Sequence, residues 1–439
     1  MLYSWIKKKA LQYEKRYIED GVIRWSFEDL FLMAEKMAST LKNEKYGLLF
    51  ENEIFSTVAI LACLCAHKPF VMLSANYGAH HTESILKTMN ISTLIRDKQI
   101  EHLPTNYVEK EDLSDVAMIL CTSGSTGIPK GVMLTENNIR NNLLDFTEAC
   151  CIESNNKLII TRPMFHCSVI ICEFLFSLIN GLNIVFCNTR FNPFAISKAI
   201  SELGVTIIGG TPSTLYHISK IISKTCNTDS IKYVICSGEC LTQTVADALK
   251  DNFPRSKIFH VYGMTEAGPR ISCLPPTLFD SHYDCVGYPM KSTEIRLEKG
   301  ELLIAGTSLF KGYYGKGPRT EKWFHTGDAA SIEDGLIKIH GRIDDMIIRR
   351  GINIYPAQIE NIVKQHEKIC DACAVGVRDK SVTQKIHLYI EGNELSNEEA
   401  YKICVKLLPP YLLPDRIEVV PELERTPTGK LRRKSYGIS

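Results

Sequence analysis

A chain of 439 residues is longer than one hydrophobic core usually serves, so a large domain followed by a smaller one is expected. Hydrophobic residues make up 45% and charged residues 23%, the proportions of an ordinary globular protein. A net charge of +1 removes the electrostatic case for nucleic acid or an anionic membrane as partner.

The predicted elements alternate along the first three-quarters of the chain. Apolar, β-rich runs fall at 47–50, 117–121, 184–187, 206–209, 233–236 and 258–261, with helical patterns between them at 194–203 and 242–252. Strands this uniformly apolar predict an α/β fold, its large N-terminal domain built on parallel sheets covered by helices. The longest apolar stretch, 168–187, is interrupted by Glu173, Asn180, Gly181 and Asn183. It reads as a buried helix, a turn and a strand, and no membrane span is expected. The texture changes at 341–345. A short strand at 346–350, a helix from Tyr355 with Pro356 in its first turn, strands at 374–377 and 386–390 and a helix at 397–407 complete a small α+β unit. The expected domains are therefore 1–342 and a small, mobile 343–439.

The sixteen cysteines are scattered, and Cys370 with Cys373 is a C-x-x-C without a second pair at zinc spacing. They read as small buried thiols in a reducing compartment. Trp5 and Lys7-Lys-Lys9 are followed by polar residues, not by the apolar core of a signal peptide, and a cytoplasmic location is expected. The basic end Lys430-Leu-Arg-Arg-Lys434 lacks interleaved aromatics, so no nucleic-acid contact is assigned to it.

The richest chemistry lies in Thr122-Ser-Gly-Ser-Thr-Gly-Ile-Pro-Lys-Gly131, directly after an apolar strand. Its glycines let backbone N–H groups turn toward an anion, its hydroxyls add donors and Lys130 adds a compact positive charge. It is not a Walker A loop, because Pro129 stands where the second glycine belongs. Further runs follow: Pro163-Met-Phe-His166, Tyr262-Gly-Met-Thr-Glu266, His325-Thr-Gly-Asp328, Gly341-Arg-Ile-Asp344, Arg350-Gly-Ile-Asn-Ile-Tyr-Pro356 and Thr428-Gly-Lys430. Together, in this order, they resemble the signatures of the acyl-adenylate-forming superfamily, which holds acyl-CoA synthetases, stand-alone adenylation enzymes and luciferases.

The resemblance implies activation of a carboxylic acid by ATP to an acyl-AMP, with release of pyrophosphate, and then transfer to the thiol of CoA. It gives Thr122, Ser123, Gly124, Ser125, Thr126, Gly127 and Lys130 to the ATP phosphates. Thr126 and Glu266 match the positions that contact Mg2+, an ion that prefers oxygen ligands. Tyr262 resembles the aromatic that stacks on adenine, Ser237, Gly238 and Glu239 the segment facing the purine edge, and Gly263 and Thr265 belong to the same motif. Asp328 and Arg342 match the ribose contacts. Lys430 resembles the lysine that bridges carboxylate and α-phosphate, Asp344 the hinge, and Gly351 a position beside the pantetheine tunnel.

His166 resembles the gating histidine of acyl-CoA synthetases, and the family's aspartate for an α-amino group is missing from Phe165-His-Cys-Ser168, which disfavours an amino acid. Residues 209–213 with Gly263 and Met264 border the expected acyl pocket. Asn353-Ile-Tyr-Pro356 tilts the acceptor toward CoA over an acyl carrier protein. The alternatives are an adenylation enzyme that loads a carrier-protein phosphopantetheine, or a catalytically silent nucleotide-binding regulator. The amino-terminal part departs from the pattern: Trp25-Ser-Phe-Glu-Asp-Leu30 resembles the early helix entry, but the segment before it is short.

Overall fold

The computed structural model describes residues 1–50, 53–74, 79–96, 99–104, 109–122, 130–187, 192–225, 228–349, 351–379, 383–425 and 431–437. The chain is α/β and forms two compact units, Met1–Glu294 with Ala305–Lys322 and Ile295–Ile304 with Trp323–Ser439.

In the larger unit, short β-branched runs become strands that are buried on both faces. Asn183–Phe186, Lys157–Ile160, Ile207–Gly210, Tyr233–Ser237 and Lys257–Gly263 lie in that order, each parallel to the next. Every residue of Ile207–Gly210 and of Tyr233–Ser237 is buried, although successive side chains point to opposite faces. Only cover on both sides produces that pattern. Arg270–Leu274 closes one side antiparallel to Lys257–Gly263. A second sheet sets Tyr46–Phe50, Phe70–Ser74, Thr93–Arg96 and Val116–Thr122 parallel, and Lys130–Thr135 turns back antiparallel on Val116–Thr122. The phosphate-type loop thus joins two paired strands, with Thr122 opposite Lys130 at its mouth.

Helix starts follow local chemistry. Ser26 and Asp29 form a capping box at Phe27–Ala38, and Thr135 with Asn138 does the same at Glu136–Cys150. The run expected as helix, turn and strand is Cys167–Ile179 followed by Asn183–Phe186, but its middle, Ile170–Leu175, is π-helical. Among the described residues no helix is long and apolar enough to cross a membrane.

In the smaller unit, Phe324–Glu333 and Leu336–Arg342 pair antiparallel. Helices Pro356–Val363 and Asn397–Leu407 cover a sheet built on the long antiparallel pair Ile369–Asp379 and Thr383–Gly392. Ile347, Ile359, Val363, Ala374, Ile386, Leu388 and Cys404 make its core. Pro356 takes the first helical position, where its missing N–H costs nothing, so Tyr355 is the cap and not the first turn. On Ile369–Asp379, Cys370 is exposed at a register shift between Ile369 and Asp371, whereas Cys373 is buried.

Candidate functional site

In the larger unit the chemistry gathers at strand ends. Lys130 begins the strand that returns from the phosphate-type loop, and its Nζ stands 5.3 Å from the centroid of the Tyr313 ring. Tyr313 Oη in turn donates to Glu266 Oε1 at 2.9 Å. One aromatic ring therefore carries an ammonium over its face and a carboxylate at its hydroxyl. Glu266 is only 8% exposed, on the short 3-10 turn Thr265–Ala267. The Phe310 N–H donates to its carbonyl at 2.9 Å. Tyr313, on the pair of residues Gly312–Tyr313 that adds to Lys130–Thr135, belongs to this cluster and was missed by motif reading. Its only sequence trace is the glycine-flanked tyrosine pair of Gly312-Tyr-Tyr-Gly315.

Asn142 was missed as well. Fully buried in Glu136–Cys150, it donates to the Ala267 carbonyl at 3.2 Å and the Arg270 carbonyl at 2.8 Å, and accepts from Arg270 N at 3.1 Å. These three bonds hold the turn that carries Glu266. At Gly263 an added Cβ would lie 2.1 Å from the Pro269 carbonyl oxygen, so no other residue fits that close approach.

Tyr262 and Gly263 end one parallel strand and Ser237 ends its neighbour, with Ser237 in register with Val261. The positive φ of Gly238, 100°, lets the chain turn sharply there. Glu239 follows, its carboxylate accepting from Ser213 Oγ at 2.9 and 3.1 Å. Carboxyl ends of parallel strands are where such sheets bind ligands. His166 opens Cys167–Val169, its ring centroid 4.3 Å from that of Phe165, and its carbonyl accepts from the N–H groups of Val169 and Ile170.

In the smaller unit, Asp328 and Arg342 face each other in register. Arg342 Nη1 donates to Asp328 Oδ1 at 3.0 Å and to the Thr326 carbonyl at 2.7 Å. Asp328 is 8% exposed, while the Arg342 side chain is about half exposed. Asp344 lies in a turn whose ends are tied by Ile343 N to the Gly327 carbonyl at 2.9 Å and Asp345 N to the Arg342 carbonyl at 3.3 Å. Its neighbour Asp345 is half-buried near Arg433, and desolvation pushes its carboxyl pKa up from its ordinary value. A Cβ at Gly351 would meet nothing within 4 Å. Ser123, Gly124, Ser125, Thr126, Gly127 and Lys430 lie outside the described residues. Arg425 and Leu431, which flank 426–430, pair as an isolated bridge.

The family model for AMP-binding enzymes matches residues 96–314, and the model for the C-terminal domain of AMP-binding enzymes matches 358–430. Over 482 aligned residues the chain is 26% identical to a feruloyl-CoA synthase of an Amycolatopsis species, covering 98% of this chain and 97% of that one. It is 28% identical to a 2-succinylbenzoate–CoA ligase of Staphylococcus epidermidis, covering 98% and 96%. Among solved structures, the o-succinylbenzoate CoA synthetase of Bacillus subtilis with its acyl-adenylate intermediate superposes with a TM-score of 0.86 at 24% identity, over 98% of this chain and 97% of that one. The same enzyme with ATP and magnesium superposes with a TM-score of 0.84, also at 24% identity, covering 98% of each chain. A charged strand-end site on this fold, with both family models matched in order, makes the chain a member of the AMP-binding enzymes, the acyl-adenylate-forming superfamily.

Proposed function

We propose that this chain is an AMP-forming acid–CoA ligase. The observation that carries the reading is the cluster Lys130–Tyr313–Glu266 at the mouth of the phosphate-type loop, in a chain aligned end to end with CoA ligases. Joining a carboxylate to ATP brings an anion against a polyanion, so positive charge and fixed geometry must precede chemistry. A carboxylate oxygen attacks the α-phosphorus, the bond to pyrophosphate breaks, and acyl-AMP forms. The CoA thiol then loses its proton and attacks the acyl carbon, and AMP leaves.

Lys130 neutralises the outgoing phosphates beside Thr122 and residues 123–127. Glu266 fits magnesium, because it offers a buried carboxylate oxygen, the kind of ligand that ion prefers. With Thr126 it would hold that ion, which supplies charge neutralisation on the phosphates. Tyr262 stacks on adenine, with Ser237, Gly238 and Glu239 at the purine edge. Asp328 accepts from ribose hydroxyls, and its hydrogen bond from Arg342 keeps that carboxylate oriented. His166 stands at the acyl side. Lys430 bridges carboxylate and α-phosphate, and residues 343–439 act as the mobile part about Asp344, with Gly351 beside the thiol arm. A cytoplasmic location is proposed from the scattered spacing of the cysteines along the sequence.

Mass spectrometry of products from purified protein, MgATP and a panel of aliphatic and aromatic acids tests the reading. Acyl-AMP that converts to acyl-CoA when CoA is added is the expected result. Acyl-AMP that persists with CoA present would replace CoA by a carrier-protein thiol. Failure to form any adenylate would remove the ligase reading in favour of a silent nucleotide-binding regulator.

A further inference from the structure

Glu173 breaks an apolar run, yet the fold buries it instead of turning it to solvent: its side chain is 4% exposed. Its Oε1 accepts from Arg162 Nη2, and the Arg162 side chain is 16% exposed. Removing an ion pair from water gives back at best what desolvation costs, so stability alone does not account for this pair. The pair is also incomplete. Glu173 Oε2 and Arg162 Nε are both buried without a hydrogen-bond partner among the described residues, an acceptor and a donor belonging to one pair.

Their surroundings point to a ligand. Arg162 follows the carboxyl end of Lys157–Ile160, and Gly209 lies at the same end of the parallel neighbour Ile207–Gly210. An added Cβ at Gly209 would come to 3.3 Å from Glu173 Oε1, so the glycine leaves that carboxylate room at the strand end. Glu173 itself sits in the π-helical turn Ile170–Leu175, a rare wide turn that recurs at functional sites.

We propose that Arg162 and Glu173 are a specificity-determining pair that reads a hydroxyl group on the acyl part of the carboxylic acid. The proposal rests on the ligase reading above. The two orphaned atoms are one acceptor and one donor, the complement of a hydroxyl, whose O–H donates and whose lone pair accepts. A plain hydrocarbon would leave both unmet. A second carboxylate could accept from Arg162 but would stand against the charge of Glu173. The expected substrate class is therefore hydroxylated acids, not dicarboxylic acids.

The test measures pyrophosphate release for matched acids: cinnamic against 4-hydroxycinnamic, benzoic against 3-hydroxybenzoic, decanoic against 10-hydroxydecanoic, and each against a dicarboxylic analogue. In at least one set kcat/KM should favour the hydroxylated acid by about tenfold or more, because unpaired buried polar atoms penalise the analogue that lacks the group. Arg162→Gln and Glu173→Gln should bring that ratio near one, chiefly through loss on the hydroxylated acid. The double variant Arg162→Leu/Glu173→Leu removes both charges together, so it keeps the test open if either single variant fails to fold. A ratio near one in every wild-type set, or a preference for the dicarboxylic acids, would overturn the proposal. So would variants that lower both members of a set equally, the mark of a structural role. No pyrophosphate from any acid would instead bring down the ligase reading, and this proposal with it.

Discussion

Tyr313 holds an ammonium over its ring and a carboxylate at its hydroxyl, and that arrangement sets where charge can be neutralised in the larger unit. Glu266 was singled out in the sequence because its motif is contiguous. Tyr313 was not, because the bond to Glu266 spans 47 residues and nothing local marks it. The same holds for Asn142, whose bond to the Arg270 carbonyl spans 128. Lys430 is the reverse case, assigned from its motif alone. Lys430→Ala should lower acyl-AMP formation about 10²-fold, as loss of a transition-state donor does. Pyrophosphate release in the absence of CoA checks it, and a rate within a few-fold of wild type would remove the assignment.

At the scale of elements, strand ends decide the site, and glycine decides how closely they approach. The register of Lys257–Gly263 against Arg270–Leu274 shifts between Tyr262 and Gly263, just where the chain turns toward Glu266. Gly263→Ala would push a methyl into the Pro269 carbonyl, a backbone atom that cannot swing aside. Destabilisation of about 1–3 kcal/mol is expected, the usual cost of overpacking. The urea midpoint of unfolding reads it, and an unchanged midpoint would mean the turn relaxes freely. The helical segment Cys167–Ile179 shows the limit of pattern reading at this scale. Apolar residues announced a buried helix, and Glu173 was visible only as an interruption. Its partner Arg162 lies eleven residues away, outside the helix, so no periodicity links the two.

Across the whole molecule, chain order separates two chemistries. The runs proposed for phosphate, purine and acyl contacts precede residue 270, whereas Asp328, Arg342, Asp344, Gly351 and Lys430 fall within the range of the smaller unit. If Asp344 is the hinge between half-reactions, Asp344→Pro should leave acyl-AMP formation largely intact and suppress thioester formation, since proline fixes φ. Assaying the two half-reactions separately, the second from preformed acyl-AMP, checks this. Equal loss in both would show that the turn at 343–345 is needed for folding and not for movement.

The sequence by itself determined the α/β class, the order of the strands along the chain and the contiguous motifs, because apolar periodicity and local turn chemistry are properties of neighbouring residues. Only the tertiary structure decided which strands lie side by side, that Tyr313 joins Lys130 to Glu266, and that Arg162 meets Glu173 with one donor and one acceptor left over. Those contacts bring together side chains from separate elements. Whether a buried charge finds a partner depends on packing, and packing is settled when the sheets and helices close on one another.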